Sequence, residues 1–232
     1  MLGPDGLPRY IPGIKINREQ ADADQDRPHI AAHSNPQCWV LVEKSGMICI
    51  DSLGWGIVPE FKKDTTLFNA RSEKLFEPAS FWFSLNTNRC LLLADGVYEH
   101  QQRGGIKKKT PFYINLKDGS PLLIPAVYDN NNQRFSIITR SANEVFKEIH
   151  NSGPNKHRMP LLCTIEKALL WIQKGLGKKE LTEFLNYLLP DQLLNYHTVY
   201  SIRGNKVRPD GLRENDFFNW SSAGRAEQPS LF

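Results

Sequence analysis

PFYINLKDGSPLLIPAVYDNNNQRFSIIT, residues 111–139, consists of three apolar runs separated by two turn signals. Short runs rich in Ile, Val, Phe and Tyr, bounded by Gly, Asn and Asp, read as strands, here 111–116, 122–128 and 134–139. LKDGSP (116–121) sets Asp-Gly between two such runs and predicts a hairpin; DNNNQ (129–133) predicts a second turn of the same kind. Toward the N-terminus the same texture marks strands at 38–43, 47–51 and 90–94. Toward the C-terminus it gives way to helical spacing. Ser141 and Glu144 have capping-box spacing, and Val145, Phe146 and Ile149 make one apolar face of a helix ending near His150. A short strand is expected at 159–163, a helix capped by Thr164 through Lys174, and a helix marked by Leu181, Phe184, Leu185 and Leu188 and ended by Pro190. A last strand is expected at 198–203. Strands followed mostly by helices predict an α+β single domain: a strongly twisted antiparallel or mixed β-sheet, barrel-like, with peripheral helices. Residues 1–33 read as an irregular N-terminal segment, 34–208 as the domain, and 209–232 as a flexible tail.

Composition narrows the class. With 40% hydrophobic and 10% aromatic residues, the 232-residue chain can bury a core and is not disordered. It has no run approaching the roughly 20 apolar residues that cross a bilayer, and no basic segment followed by an apolar one at its start. The expected location is the cytoplasm. Cys38, Cys49, Cys90 and Cys163 form no CxxC pair and lack zinc-finger spacing to His, so they read as small buried hydrophobes; no metal or cofactor is expected. Net charge is +4, with Arg103 and Lys107 to Lys109 in one cluster and Arg203, Lys206, Arg208 and Arg213 in another. Such loops serve as phosphate footprints or simply as solvated charge, and both readings stand at this point.

Four local motifs carry chemistry. In GWGIVPEF (54–61) glycines flank Trp55, leaving backbone room for its ring to stack on a base; a Trp packed beside a turn is the competing reading. In FNARSEKL (68–75) Asn69 offers a donor and an acceptor and Arg71 a planar fork suited to phosphate, with Glu73 near enough to hold it. A solvent-facing helix start would look the same. In LLLADGVYEH (91–100) an apolar strand runs into Asp95-Gly96 and re-emerges at Tyr98-Glu99, where an adjacent aromatic would desolvate Glu99 and raise its pKa toward that of a working acid or base. A surface Glu on an edge strand is the alternative. In IHNSGPNKHRMPLL (149–162) His150 and His157 are candidate proton shuttles and Arg158 a candidate phosphate ligand; either histidine could be an ordinary loop residue.

Taken in order, a Trp-Gly-x-x-Pro turn, Asn-Ala-Arg, Ala-Asp-Gly-x-x-Glu and His…Arg-Met-Pro resemble the SRAP family, the SOS-response-associated peptidases that act on abasic sites in DNA. The resemblance spans roughly residues 34–203. It implies binding of single-stranded DNA that carries an abasic site. It further implies attack on the sugar aldehyde by an N-terminal Cys exposed by Met removal, giving a thiazolidine crosslink that shields the lesion. Family members combine this autopeptidase activity with lyase-type chemistry in the DNA-damage response, which implies nucleoid association and a monomer. By the same resemblance Asn69 sits near the reacting residue and Arg71 on phosphate. Glu99 assists proton transfer and Met removal, the histidine assists imine and ring-opening steps, Arg158 contacts DNA, and Trp55 lies beside the wedge that separates strands. Family members read Ile-His shortly before Arg-Met-Pro; here seven residues stand between His150 and Arg158, so His150 is favoured slightly and His157 kept beside it.

Position 2 is Leu, where the resemblance implies Cys. An amine without a thiol forms only a hydrolysable Schiff base, and Met1 before bulky Leu2 is expected to be retained. Either the Cys-bearing strand lies upstream of this start, since the lead-in to HSNPQ (33–37) is short, or the protein acts on lesions without a thiazolidine. Two other classes are weighed: a non-catalytic single-stranded DNA-binding module, and an unrelated hydrolase using Glu99 with a His. The family reading requires Asn69, Arg71, Glu99 and an imidazole from the 150–157 loop to share a cleft.

Overall fold

The structure, a computed structural model, describes residues 4–15, 29–104, 108–202 and 207–220. Leu2, Lys107, Arg203 and Lys206 lie outside the described residues. The fold is α+β with a mixed sheet and few helices, as expected. Among the described residues ten strands run in order: β1 (Gln37–Lys44), β2 (Met47–Trp55), β3 (Asn69–Arg71), β4 (Arg89–Ala94), β5 (Val97–Gln102), β6 (Lys109–Leu116), β7 (Leu122–Asp129), β8 (Arg134–Ser141), β9 (Arg158–Pro160) and β10 (Leu194–Thr198). The α-helices among the described residues are α1 (Glu144–Ile149), α2 (Ile165–Ile172) and α3 (Lys178–Leu185). The chain divides into two compact units: Met1–Asp95, Ser120–Arg140 and Pro160–Leu189 form the first, and Gly96–Gly119, Ser141–Met159 and Pro190–Phe232 the second. The units interleave along the chain, so no composition break marks them.

The first unit holds the strand order β2-β1-β4-β7-β8-β3. β1 and β2 pair through all eight residues of β1, from Gln37↔Gly54 to Lys44↔Met47. Their two-residue turn has positive φ at both Ser45 (52°) and Gly46 (81°), the geometry whose twist matches paired strands. β7 and β8 form the hairpin predicted at DNNNQ, where the Asp129 carboxylate accepts from the Asn131 N–H (3.0 Å) and the Asn132 amide (2.7 Å). A short parallel ladder, Gly54↔Arg134 and Trp55↔Phe135, brings β2 onto β8, so the strand run curls back on itself. One face packs on α2 and α3. Thr164 caps α2 as predicted, and its buried Trp171 donates to the Ala126 carbonyl (2.9 Å) while stacking on Phe184 of α3 (5.2 Å, 24°). Residues 4–15 are more ordered than their composition suggested. A 3₁₀ turn at Pro4–Arg9 buries Leu7, Ile11 is buried after it, and the Lys15 backbone bonds Ile48 (3.0 Å) and Ile50 (3.1 Å). Two apolar anchors placed between turn residues secure a segment that a window average reads as polar.

The second unit holds the antiparallel sheet β10-β6-β5. LKDGSP bends the chain after Leu116, with Gly119 at φ 71°, but makes no hairpin: β6 pairs with β5 and β10, whereas β7 pairs with β4 and β8. The last strand is Leu194–Thr198 rather than 198–203. α1 is capped by Asn143, not Ser141: Asn143 Oδ1 accepts from Phe146 N–H (3.0 Å) at the N-cap, and Ser141 ends β8. The described part of the expected flexible tail (209–232), residues 209–220, is largely exposed but tied back through Arg208 and Phe218. Arg208, 6% exposed, donates to the carbonyls of Arg213 (3.0 Å), Asp216 (2.7 Å) and Phe217 (2.6 Å) and pairs with Asp210 (2.6 Å). A guanidinium committed to three carbonyls and a carboxylate is unavailable to phosphate, so this residue leaves the basic footprint.

Candidate functional site

In the first unit β2 and β3 set three candidates along one side of β8. Asn69↔Ile137 and Arg71↔Thr139 pair in parallel with β8, next to Trp55↔Phe135. Residues 135, 137 and 139 share a face of β8, so their partners Trp55, Asn69 and Arg71 share it too. Asn69 and Arg71 are exposed and Ala70 between them is buried, the alternation of a half-buried strand rather than a helix start. Trp55 is anchored: its Nε1–H donates to the Phe68 carbonyl (3.0 Å) and its ring stacks on Phe135 (5.8 Å, 19°). The bond to Phe68 fixes the residue just before Asn69. Gly56 is needed for space and conformation alike, with φ 109° and a Cβ position 2.5 Å from Thr66 Cγ2.

Two residues of this neighbourhood escaped the sequence reading. Phe61, at the end of GWGIVPEF, is 74% exposed and touches Phe81 only edge-on (5.6 Å, 69°). The signal for it was a lone aromatic followed by Lys62 and Lys63 after Pro59. Arg134 donates to the Gly56 carbonyl (2.9 Å) and to Asn35 Oδ1 (3.3 Å), tying the Trp55 turn to HSNPQ. No local pattern marks that role, because the partners lie 78 and 99 residues away.

In the second unit β5 carries Glu99, opposite Phe112 of β6. Tyr98 and Glu99 point to opposite faces of β5. Tyr98 packs on Tyr113 (5.0 Å), so it is not what desolvates Glu99. Gly96 gives that Tyr113 ring its place: a Cβ there would lie 2.4 Å from Cζ. Glu99 Oε1 instead lies 3.8 Å from His150 Nδ1, both side chains 22% exposed. Burial pushes the Glu99 carboxyl above its ordinary value, while His150, the His100 N–H and Lys109 oppose that rise. His150 Nδ1 is 2.9 Å from the Arg158 carbonyl. A carbonyl only accepts, so in the neutral ring Nδ1 carries the hydrogen and Nε2 is left to accept a proton.

The seven-residue spacing between the His and the Arg resolves geometrically. His157 N–H donates to the His150 carbonyl (2.9 Å), and His157 adopts φ 60° to do so. The extra residues leave the path at His150 and return at His157, so Arg158 follows a closed neck. His157 is exposed and serves through its backbone, its carbonyl accepting from Ala142 N–H (3.0 Å). The structure therefore brings together Glu99, His150 and the Arg158 carbonyl, and leaves the His157 ring apart from them.

Cys38, Cys90 and Cys163 are buried thiols outside any disulfide, as small buried hydrophobes would be, whereas Cys49, read the same way, is only half-buried. Burial raises the Cys90 thiol and pushes Cys163 up to about 12, which leaves both inert as nucleophiles. Among the described residues no group of three or more His, Cys, Asp or Glu could hold a metal ion, and no helix is long and apolar enough to cross a membrane.

A family model described as SOS response associated peptidase (SRAP) matches residues 9–205. The chain is 28% identical over 173 residues to the abasic site processing protein YedK of Escherichia coli (strain K12), covering 72% of this chain and 74% of that protein. It is 32% identical over 134 residues to the abasic site processing protein YoqW of Bacillus subtilis (strain 168), covering 53% of this chain and 57% of that one. A crystal structure of a protein from Bacteroides thetaiotaomicron superposes with a TM-score of 0.71 at 24% identity, covering 92% of this chain and 93% of that chain, a likeness of fold.

Proposed function

This chain belongs to the SOS response-associated peptidase (SRAP) family, and from that membership we propose that it processes abasic sites in single-stranded DNA, with Glu99 and His150 as the proton-handling pair. The observation that carries the reading is their juxtaposition: a carboxyl raised by burial, 3.8 Å from an imidazole whose hydrogen is directed to the Arg158 carbonyl. The names of the two relatives support the substrate class. An open abasic sugar presents an aldehyde. When a protein amine adds to it, a C–N bond forms as the C=O π bond breaks, and the carbonyl oxygen needs two protons to leave as water. A protonated Glu99 can deliver the first while His150 Nε2 takes one from the attacking nitrogen, giving a carbinolamine; the imidazolium can return its proton for the second as the C–O bond breaks, leaving a protonated imine, water, a Glu99 carboxylate and a neutral His150. Asn69 and Arg71, exposed on one strand, serve as hydrogen-bonding and phosphate groups. Phe61 offers an open ring face for an unpaired base, and Trp55 holds the strand that carries Asn69.

Borohydride trapping on an oligonucleotide with one abasic site tests the reading. A trapped adduct is expected, reduced at least tenfold by Glu99→Gln, in line with the roughly 10²–10⁴-fold worth of general acid–base catalysis. Arg71→Ala should weaken binding to the same oligonucleotide about tenfold, and the loss should shrink as salt rises. Equal binding of intact and abasic strands with no adduct would replace the proposal with a non-catalytic single-stranded DNA-binding module.

A further inference from the structure

The insertion between His150 and Arg158 raises a physical problem. His150 stands where α1 ends and an excursion of six residues, 151–156, begins, and such a junction is expected to be loose. The structure contains a device that prevents this. Asn151 lies beside the end of β5, three residues beyond Glu99. Its Oδ1 accepts from the Gln102 N–H (2.9 Å) and its Nδ2 donates to the Gln102 carbonyl (3.0 Å). One side-chain amide thus satisfies both backbone groups of a single strand residue, as a neighbouring strand would. A second tie runs alongside, from Gln101 Nε2 to the Glu148 carbonyl (3.3 Å), two residues before the His. The neck bond from His157 N–H to the His150 carbonyl closes the excursion from its far side. His150 is therefore held at residue 148, at residue 151 and through its own carbonyl, while its ring reaches the Arg158 carbonyl.

We propose that Asn151 is a positioning residue that staples the neck of this loop to β5 and so holds the His150 ring against Glu99. The proposal rests on the reading of Glu99 and His150 as the working pair. Asn151 acts through the Gln102 backbone. Only an amide fits: Ala removes both bonds, and an ionised Asp keeps the acceptor for Gln102 N–H but sets a carboxylate against the Gln102 carbonyl. Without the staple the ring loses its fixed direction, and misplacement of about 1 Å is enough to cost up to roughly 10²-fold in rate.

The test uses the full chain and Asn151→Ala, with Asn151→Asp as a second variant. The first readout is the ¹⁵N spectrum of the His150 ring, assigned by its loss in His150→Gln. The parent should show the Nδ1–H tautomer, and Asn151→Ala should shift both ring nitrogens toward tautomer-averaged values. An unchanged ring spectrum would overturn the proposal whether or not the protein forms an adduct. The second readout separates binding from chemistry on the abasic oligonucleotide. Asn151→Ala should slow borohydride-trapped adduct formation about tenfold or more with affinity unchanged. Asn151→Asp should be slow at neutral pH, and its rate as a fraction of the parent's at the same pH should rise in acid, where a protonated carboxyl can again donate to the Gln102 carbonyl. Parent-like trapping by Asn151→Ala alongside loss in Glu99→Gln would sink the staple and keep the pair; parent-like trapping by Glu99→Gln would sink the pair itself.

Discussion

Glu99 stands under opposed influences. Burial is the largest and raises its carboxyl, against the pull of His150, the His100 N–H and Lys109. Its folded value lies above its unfolded one, so the folded chain binds this proton more tightly. That contribution to stability is complete below the ordinary carboxylate range and is lost as pH rises through the folded value. Glu99→Gln stays neutral throughout. It should gain stability relative to the parent as pH climbs from about 4 to about 7, seen as a widening Tm difference in calorimetry at stepped pH. A Tm difference that stays constant over that span would mean the carboxyl is not raised. The sequence suggested the direction of this shift through Tyr98. The cause is different, because neighbours along a strand face opposite ways and Tyr98 spends its ring on Tyr113.

At the scale of elements, turns bend the chain but do not choose strand partners. LKDGSP has the residues of a hairpin turn, yet β6 registers Glu99↔Phe112 with β5 and Tyr196↔Ile114 with β10. Partner choice follows from which apolar face each strand can bury, and no local pattern reports that. The turn before β5 shows the converse, a small residue demanded by a distant ring. Gly96→Ala would drive a Cβ into Tyr113, which is 6% exposed and has little room to move. The expected cost is about 1–3 kcal/mol, measured as a lower denaturant midpoint. Tyr113→Val in the same chain should recover part of it. A Gly96→Ala protein as stable as the parent would show that the ring yields freely.

At the scale of the whole molecule, the chain passes repeatedly between its two compact units, and its C-terminal described segment is held by one buried cation. Arg208 gathers three carbonyls and the Asp210 carboxylate, while Phe218 N–H bonds the Thr198 carbonyl (2.8 Å) and Trp220 Nε1–H the Val199 carbonyl (3.0 Å). Arg208→Ala leaves those carbonyls without their donor. Residues 209–220 should then open locally, read as tryptic cleavage after Arg213 at least tenfold faster than in the parent, with the major unfolding transition little changed. Cleavage at the parental rate would mean that the aromatic contacts of Tyr200, Phe218 and Trp220 hold the segment alone.

Local pattern was sufficient for the positions of β1, β2, β4, β7 and β8, the Thr164 cap, the α+β class and the motif order that identifies the family. Each depends on side-chain periodicity or on residues adjacent in the chain. Other features needed the fold itself: the separate pairings of β6 and β7, the approach of His150 to Glu99, the burial of Arg208, and the bonds of Arg134 and Asn151. These depend on contacts across tens of residues or on which way a loop closes. The energy of such contacts comes from burial and hydrogen bonding between segments that the chain order does not place side by side.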